Sequence, residues 1–122
     1  MALRFIPTVV HGILDYATAG MLLTLPRVLG WKKEATTLLT GAGAGVLAYS
    51  LLTRYELGVV KVLPMTVHLA LDALGGGLLA AAPSFFVEDE ESSVKTMLMA
   101  IGVFEIGASL LTKTSPSPGA AS

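Results

Sequence analysis

Lys and Arg are few in this chain, and with the flanking acids they cut it into four apolar stretches. These are residues 5–26 between Arg4 and Arg27, 35–53 between Glu34 and Arg54, 62–87 between Lys61 and Glu88, and 96–112 between Lys95 and Lys113. A helix rises ~1.5 Å per residue, so about 20 residues cross the hydrocarbon core of a bilayer. The first three stretches reach or approach that length and the last is short of it. It also contains Glu105, which would cost about 2.5–3.5 kcal/mol facing lipid on an insertion scale, so Glu105 is expected to turn inward. The first stretch is too long for a signal-peptide core and carries Asp15 at its middle, so it reads as a retained helix.

The composition agrees with a membrane environment. Hydrophobic residues make up 53% of the chain and charged residues 14%, against roughly 25% charged in soluble domains. The net charge of -1, with no basic run longer than Lys32-Lys33, argues against a nucleic-acid partner. The absence of cysteine removes disulfides, thiolate metal sites and cysteine nucleophiles, leaving any chemistry to His, Asp, Glu and Tyr.

Residues 7–26 align with 64–83 at a constant offset of 57. Each copy reads Pro-x3-His-x3-Asp-x4-Gly-x5-Pro, from Pro7, His11, Asp15, Gly20 and Pro26 in the first and Pro64, His68, Asp72, Gly77 and Pro83 in the second. At offset 59, Gly43 matches Gly102, and Ser50-Leu51-Leu52-Thr53-Arg54 matches Ser109-Leu110-Leu111-Thr112-Lys113. A unit of two helices crosses a membrane and returns, so its second copy enters from the same side. The expected fold is an all-α, four-helix transmembrane bundle made by tandem duplication, with parallel repeats about a pseudo-two-fold axis along the membrane normal. It forms one domain over residues 1–114, with repeat one at about 5–54 and repeat two at about 62–113.

Pro7 and Pro64 suit the start of helices 1 and 3, and Pro26 and Pro83 their ends. Gly20, Gly41, Gly43, Gly45 and Gly77 are expected at helix-packing faces, where small residues let backbones approach. Gly41-x3-Gly45 could instead be the contact of a homo-oligomer or of a membrane partner. The acidic loop Glu88-Asp89-Glu90-Glu91 reads as a solvated turn, and residues 115–122 as a disordered Pro/Ser/Ala tail. Four basic residues fall on each side of the membrane, so the positive-inside rule ties. The acidic loop offsets the charge on the far side, which places both termini in the cytoplasm.

Residues four apart share a helix face, so His11 stacks with Asp15 and His68 with Asp72. Counting ~1.5 Å per residue from the basic rim puts His68, Asp72 and Glu105 at similar depth. Glu105 breaks the symmetry, because its counterpart in the first repeat is Val46. Tyr49 reaches the outer part of this layer and Tyr16 adjoins Asp15. Five ionisable groups in a hydrophobic zone must converge.

Three readings of the layer remain open. The first is structural: His–Asp hydrogen bonds fix helix register in a membrane module that holds itself together or binds a partner. The second is an intramembrane site for a divalent cation such as zinc, iron or manganese, or for protons in transfer. The third is haem held by His11 and His68. No nucleophile motif surrounds Ser50 or Ser109, so nothing in the sequence indicates an enzyme.

Two helix pairs, each with Asp followed by Gly, a Leu-rich stretch and a Pro at the first helix end, resemble the SPW-repeat small integral membrane proteins of bacteria. The likeness runs from residue 4 to 113, through Phe5-Ile6-Pro7, His11, Leu14-Asp15-Tyr16, Tyr49-Ser50-Leu51-Leu52-Thr53 and Tyr55-Glu56-Leu57-Gly58. Where that family has Ser-Pro-Trp, this chain has Leu25-Pro26-Arg27 and Ala82-Pro83-Ser84. The resemblance implies a four-helix fold in the bacterial inner membrane and brings no catalytic residue with it.

Overall fold

The computed structural model describes residues 4–116. Four α-helices make up the described chain: α1 (Thr8–Val28), α2 (Lys33–Leu51), α3 (Met65–Ala81) and α4 (Ser92–Leu111). A single 3-10 turn, Ala82–Ser84, follows α3. Among the described residues there is no strand, only the isolated bridges Ile6↔Thr112 and Thr53↔Leu63. The tail expected over 115–122 lies, from 117 onward, outside the described residues.

Pro7 and Pro64 stand immediately before α1 and α3, at φ -62° and -60° with extended ψ. Each proline carbonyl accepts the amide of the histidine four residues on, at 3.1 Å in both helices. The Pro-x3-His spacing therefore opens the first helical turn and sets the histidine on its inner face. Pro26 lies two residues before the end of α1, and Pro83 falls in the turn that ends α3. Gly30, at φ 66°, allows the left-handed step that ends α1, and the Trp31 amide closes back on the Pro26 carbonyl at 2.9 Å.

Helices α1 and α2 pack closely, as do α3 and α4, whereas the backbones of the two hairpins stand farther apart and meet through side chains. Gly43 sets the first approach: a Cβ there would come within 3.0 Å of Leu22 and Leu23 and 3.2 Å of the Ala19 carbonyl. Gly76 and Gly102 set the second, since a Cβ on Gly76 would lie 2.6 Å from the Gly102 carbonyl. The remaining expected packing glycines make no close helix approach within the chain. A Cβ on Gly20, Gly41, Gly45 or Gly77 would meet nothing within 4 Å. Residues 41 and 45 are two positions from Gly43, roughly 200° around the helix, so they face away from the contact that Gly43 makes.

An apolar core of Leu22, Leu39, Leu79, Val87 and Leu98 fills the half of the bundle away from the termini. Outward faces carry large apolar side chains, among them Ile13, Leu74, Leu78 and Val103, each more than half exposed. Buried polar side chains inside and large apolar side chains facing outward are the arrangement a bilayer demands. Helices α1, α4 and the segment Met65–Ser84 are long and apolar enough to cross a membrane. Helix α2 is less apolar than these, because Thr36, Thr37, Thr40 and three glycines interrupt it.

Two ties close one end of the bundle. At the terminal end, Lys113 N–H donates to the Ile6 carbonyl at 2.9 Å, and the Phe5 and Ile6 amides donate to Leu111 at 2.9 and 3.0 Å. Between α2 and α3, Arg54 N–H donates to Leu63 at 2.8 Å, and the Val62 and Leu63 amides donate to Leu52 at 3.0 and 2.8 Å. The two sets correspond bond for bond at offsets 57 and 59. At the opposite end the acidic loop is more than a solvated turn. Glu90 is buried and accepts the Lys32 amide at 2.8 Å, and Lys32 Nζ donates to the Asp89 carbonyl at 2.6 Å. Lys32 is the N-cap of α2 and has no side-chain cap of its own, so the Glu90 carboxylate supplies the missing acceptor.

Candidate functional site

The first two turns of α1 and α3 carry His11, Asp15, His68 and Asp72 inward, where all four are at most 4% exposed. Their side chains meet across the axis of the bundle. His11 Nε2 lies 2.7 Å from Asp72 Oδ2 and 3.2 Å from Asp15 Oδ1. His68 Nε2 lies 3.0 Å from Asp15 Oδ2 and 3.2 Å from Asp72 Oδ2. Each imidazole thus reaches both carboxylates, one on its own helix and one on the other.

The far nitrogens of the two rings are fixed by threonines. His11 Nδ1 is 2.6 Å from Thr112 Oγ1, and His68 Nδ1 is 2.7 Å from Thr53 Oγ1. Each hydroxyl also donates its one proton to a backbone carbonyl at 2.6 Å, Thr112 to Ala108 and Thr53 to Tyr49. A carbonyl can only accept, so the hydroxyl oxygen must accept from the ring, and both Nδ1 atoms carry a proton. It follows that Nε2 is the ring atom turned toward the carboxylates.

Phenols hold those carboxylates from behind. Tyr55 OH donates to Asp15 Oδ2 at 2.6 Å, and Tyr49 OH donates to Asp72 Oδ1 at 2.5 Å. Burial, and after it the charge of Asp15, pushes the Tyr55 phenol up from its ordinary value, which keeps it a donor. The loop that carries Tyr55 is fastened over the site by two further bonds. Tyr16 OH donates to the Leu57 carbonyl at 2.8 Å, and Thr8 Oγ1 donates to Glu56 Oε1 at 2.6 Å.

Of the residues singled out in the sequence, His11, Asp15, His68, Asp72 and Tyr49 converge. Glu105 is 7% exposed and borders the same pocket as His11, Asp15 and Asp72, without a hydrogen bond to any of them. Val46, its counterpart, is buried to the same degree. Tyr16 is turned away to the loop, because one residue beyond Asp15 is about 100° around the helix. Thr53, Thr112 and Tyr55 belong to the site and are not among the residues that the sequence pattern marks as its members. The repeated Ser-Leu-Leu-Thr is the signal for both threonines, since it puts a hydroxyl at the same point after α2 and α4.

The imidazole rings stand edge to face with centroids 5.4 Å apart, and the oxygens of Asp15 and Asp72 crowd the space between their Nε2 atoms. A porphyrin lying between His11 and His68 would have to displace both carboxylates, so the haem reading does not fit this geometry. No family model matches the chain, and no curated protein or solved structure matches it.

Proposed function

We propose that the protein is a structural membrane module in which two helical hairpins are clasped into one bundle by a buried His–Asp ring. One observation supports this reading most directly. The backbones of the two hairpins stand farther apart than those within each hairpin, and beyond the shared apolar core the polar contacts of the site run from one hairpin to the other: His11 to Asp72 and Thr112, His68 to Thr53 and, as an ion pair, to Asp15, Tyr49 to Asp72. Lipid tails are as apolar as a leucine face, so association between the hairpins gains little from apolar burial, and polar bonds carry more of it. The matched backbone ties at 52–63 and 5–113 support descent of the two hairpins from one duplicated unit. We further place the module in a bacterial inner membrane with both termini on the cytoplasmic side.

Asp72→Ala removes the acceptor of His11 and Tyr49 and the carboxylate beside His68, whereas Leu74→Ala alters a lipid-facing side chain on the same helix. Spin labels on Val10 and Val67 should report a wider and broader distance distribution in detergent for Asp72→Ala, with the Leu74→Ala distribution unchanged. Identical distributions in both variants would refute the clasp.

A further inference from the structure

We propose that the His–Asp ring is a binding site for one divalent transition-metal ion, held by His11 Nε2, His68 Nε2, Asp15 and Asp72. This goes beyond the clasp, because an ion at the ring has a composition and a geometry that a set of hydrogen bonds does not require.

The argument begins with His68 Nε2. It is fully buried and has no hydrogen-bond partner among the described residues, although two carboxylate oxygens lie within 3.2 Å. Neither oxygen lies in hydrogen-bonding geometry to that nitrogen. A ligand nitrogen behaves so, because its lone pair must meet a point shared with the other ligands and not the ligands themselves.

The distances centre on those of an octahedral arrangement about such a point. Metal bonds to imidazole nitrogen and carboxylate oxygen are about 2.0–2.2 Å, which puts neighbouring ligand atoms about 3.3–3.6 Å apart in a tetrahedron and about 2.8–3.1 Å apart in an octahedron. The four nitrogen-to-oxygen separations, to Asp72 Oδ2 and to both oxygens of Asp15, are 2.7, 3.0, 3.2 and 3.2 Å, so an ion would spread the 2.7 Å pair slightly. The four candidate ligand atoms all lie within 4.8 Å of one another.

The surrounding bonds prepare the donors. Ligating histidines commonly donate their other ring N–H to a fixed acceptor, which selects the tautomer and orients the ring. Here both Nδ1 protons go to threonine oxygens that can do nothing but accept, so both Nε2 atoms are the ones free to ligate. Tyr49 and Tyr55 orient the carboxylates in the same way. Once an ion takes the place of the Nε2 protons, two neutral imidazoles with two carboxylates carry two negative charges inside a bundle that faces lipid, and one divalent cation cancels them. Glu105 at the border of the pocket adds a third carboxylate on the side of α4. Two nitrogens and two carboxylates are the donor set of zinc, iron, manganese or cobalt.

The test uses the whole chain in detergent, stripped with a chelator and loaded with Co2+ and separately with Zn2+. One ion per chain should be retained after desalting, and the Co2+ form should show ligand-field bands in the visible. His68→Gln and Asp15→Asn keep side chains of similar size, and the amide oxygen introduced by Asp15→Asn still offers Tyr55 an acceptor. Each should lower retention by at least about tenfold. Glu91→Gln, in the acidic loop at the other end of the bundle, should retain the ion as the parent does. Circular dichroism identifies variants that remain folded, and Thr53→Val gives an additional probe that leaves all four ligands in place and should weaken Co2+ binding about tenfold. Failure of the folded parent chain to retain either ion overturns the proposal. So does equal retention in His68→Gln and Asp15→Asn, which would put the ion elsewhere.

Discussion

His11 Nδ1 and Thr112 Oγ1 meet at 2.6 Å, joining the second turn of α1 to the residue that ends α4. The Thr112 proton is committed to the Ala108 carbonyl, so the ring is the donor. Thr112→Val keeps the shape and leaves a buried N–H without an acceptor, at a cost of about 1–3 kcal/mol. Thermal unfolding in detergent should show a lower midpoint. Nitrogen-15 spectra of labelled histidine should show a protonated Nδ1 on both rings of the parent chain, with only the His11 signal displaced in the variant.

Among the described residues Tyr55 is the phenol bonded to Asp15, and it reaches the site from the loop rather than from a helix. Tyr55→Phe retains the buried ring and removes one bond to a carboxylate, so stability should fall by about 1.5–3 kcal/mol. Hydrogen exchange across 54–60 should accelerate in this variant, because the loop loses its inner anchor. Unchanged exchange there would show that the loop is fastened without the Tyr55–Asp15 bond.

Two glycine positions that look alike in sequence should behave oppositely. Gly102→Ala would drive a methyl into the backbone of α3 at Gly76 and Ala80, and should destabilise by about 1–3 kcal/mol. Gly45→Ala meets open space within its helix and should be neutral or stabilising by up to about 1 kcal/mol. Comparing their unfolding midpoints in one detergent checks both.

Gly58 allows the loop to pass under α2, since a Cβ there would collide with the Thr53 carbonyl. Gly58→Ala should shift the loop and with it the Thr53 hydroxyl that holds His68. The expected result is a loss of stability accompanied by a displaced His68 Nδ1 signal. A stability loss with that signal intact would separate the loop from the site.

Glu90 should act on α2 from a distance in sequence. Glu90→Ala removes the acceptor for the Lys32 amide, and loss of a cap costs about 0.5–2 kcal/mol. Faster amide exchange in the first turn of α2, with the His–Asp ring unaffected, is the expected signature.

The sequence by itself determined the helices and half of the site. Stretches of apolar residues between sparse charges are long enough for only one economical structure in lipid, and Pro-x3-His-x3-Asp, repeated, puts each His and Asp on one inward face. These are periodic, local properties, legible along a single helix. The tertiary structure decided the rest. That His11 pairs with Asp72 and His68 with Asp15, that the threonines fix which ring nitrogen faces the carboxylates, and that Tyr55 enters from a loop all depend on how one hairpin meets the other. The same is true of the glycines, where only the crossing point of two helices separates Gly43 and Gly102 from Gly41 and Gly45. Contacts between residues a hundred positions apart leave no spacing in the chain, and composition cannot say which face of a helix a neighbour will cover.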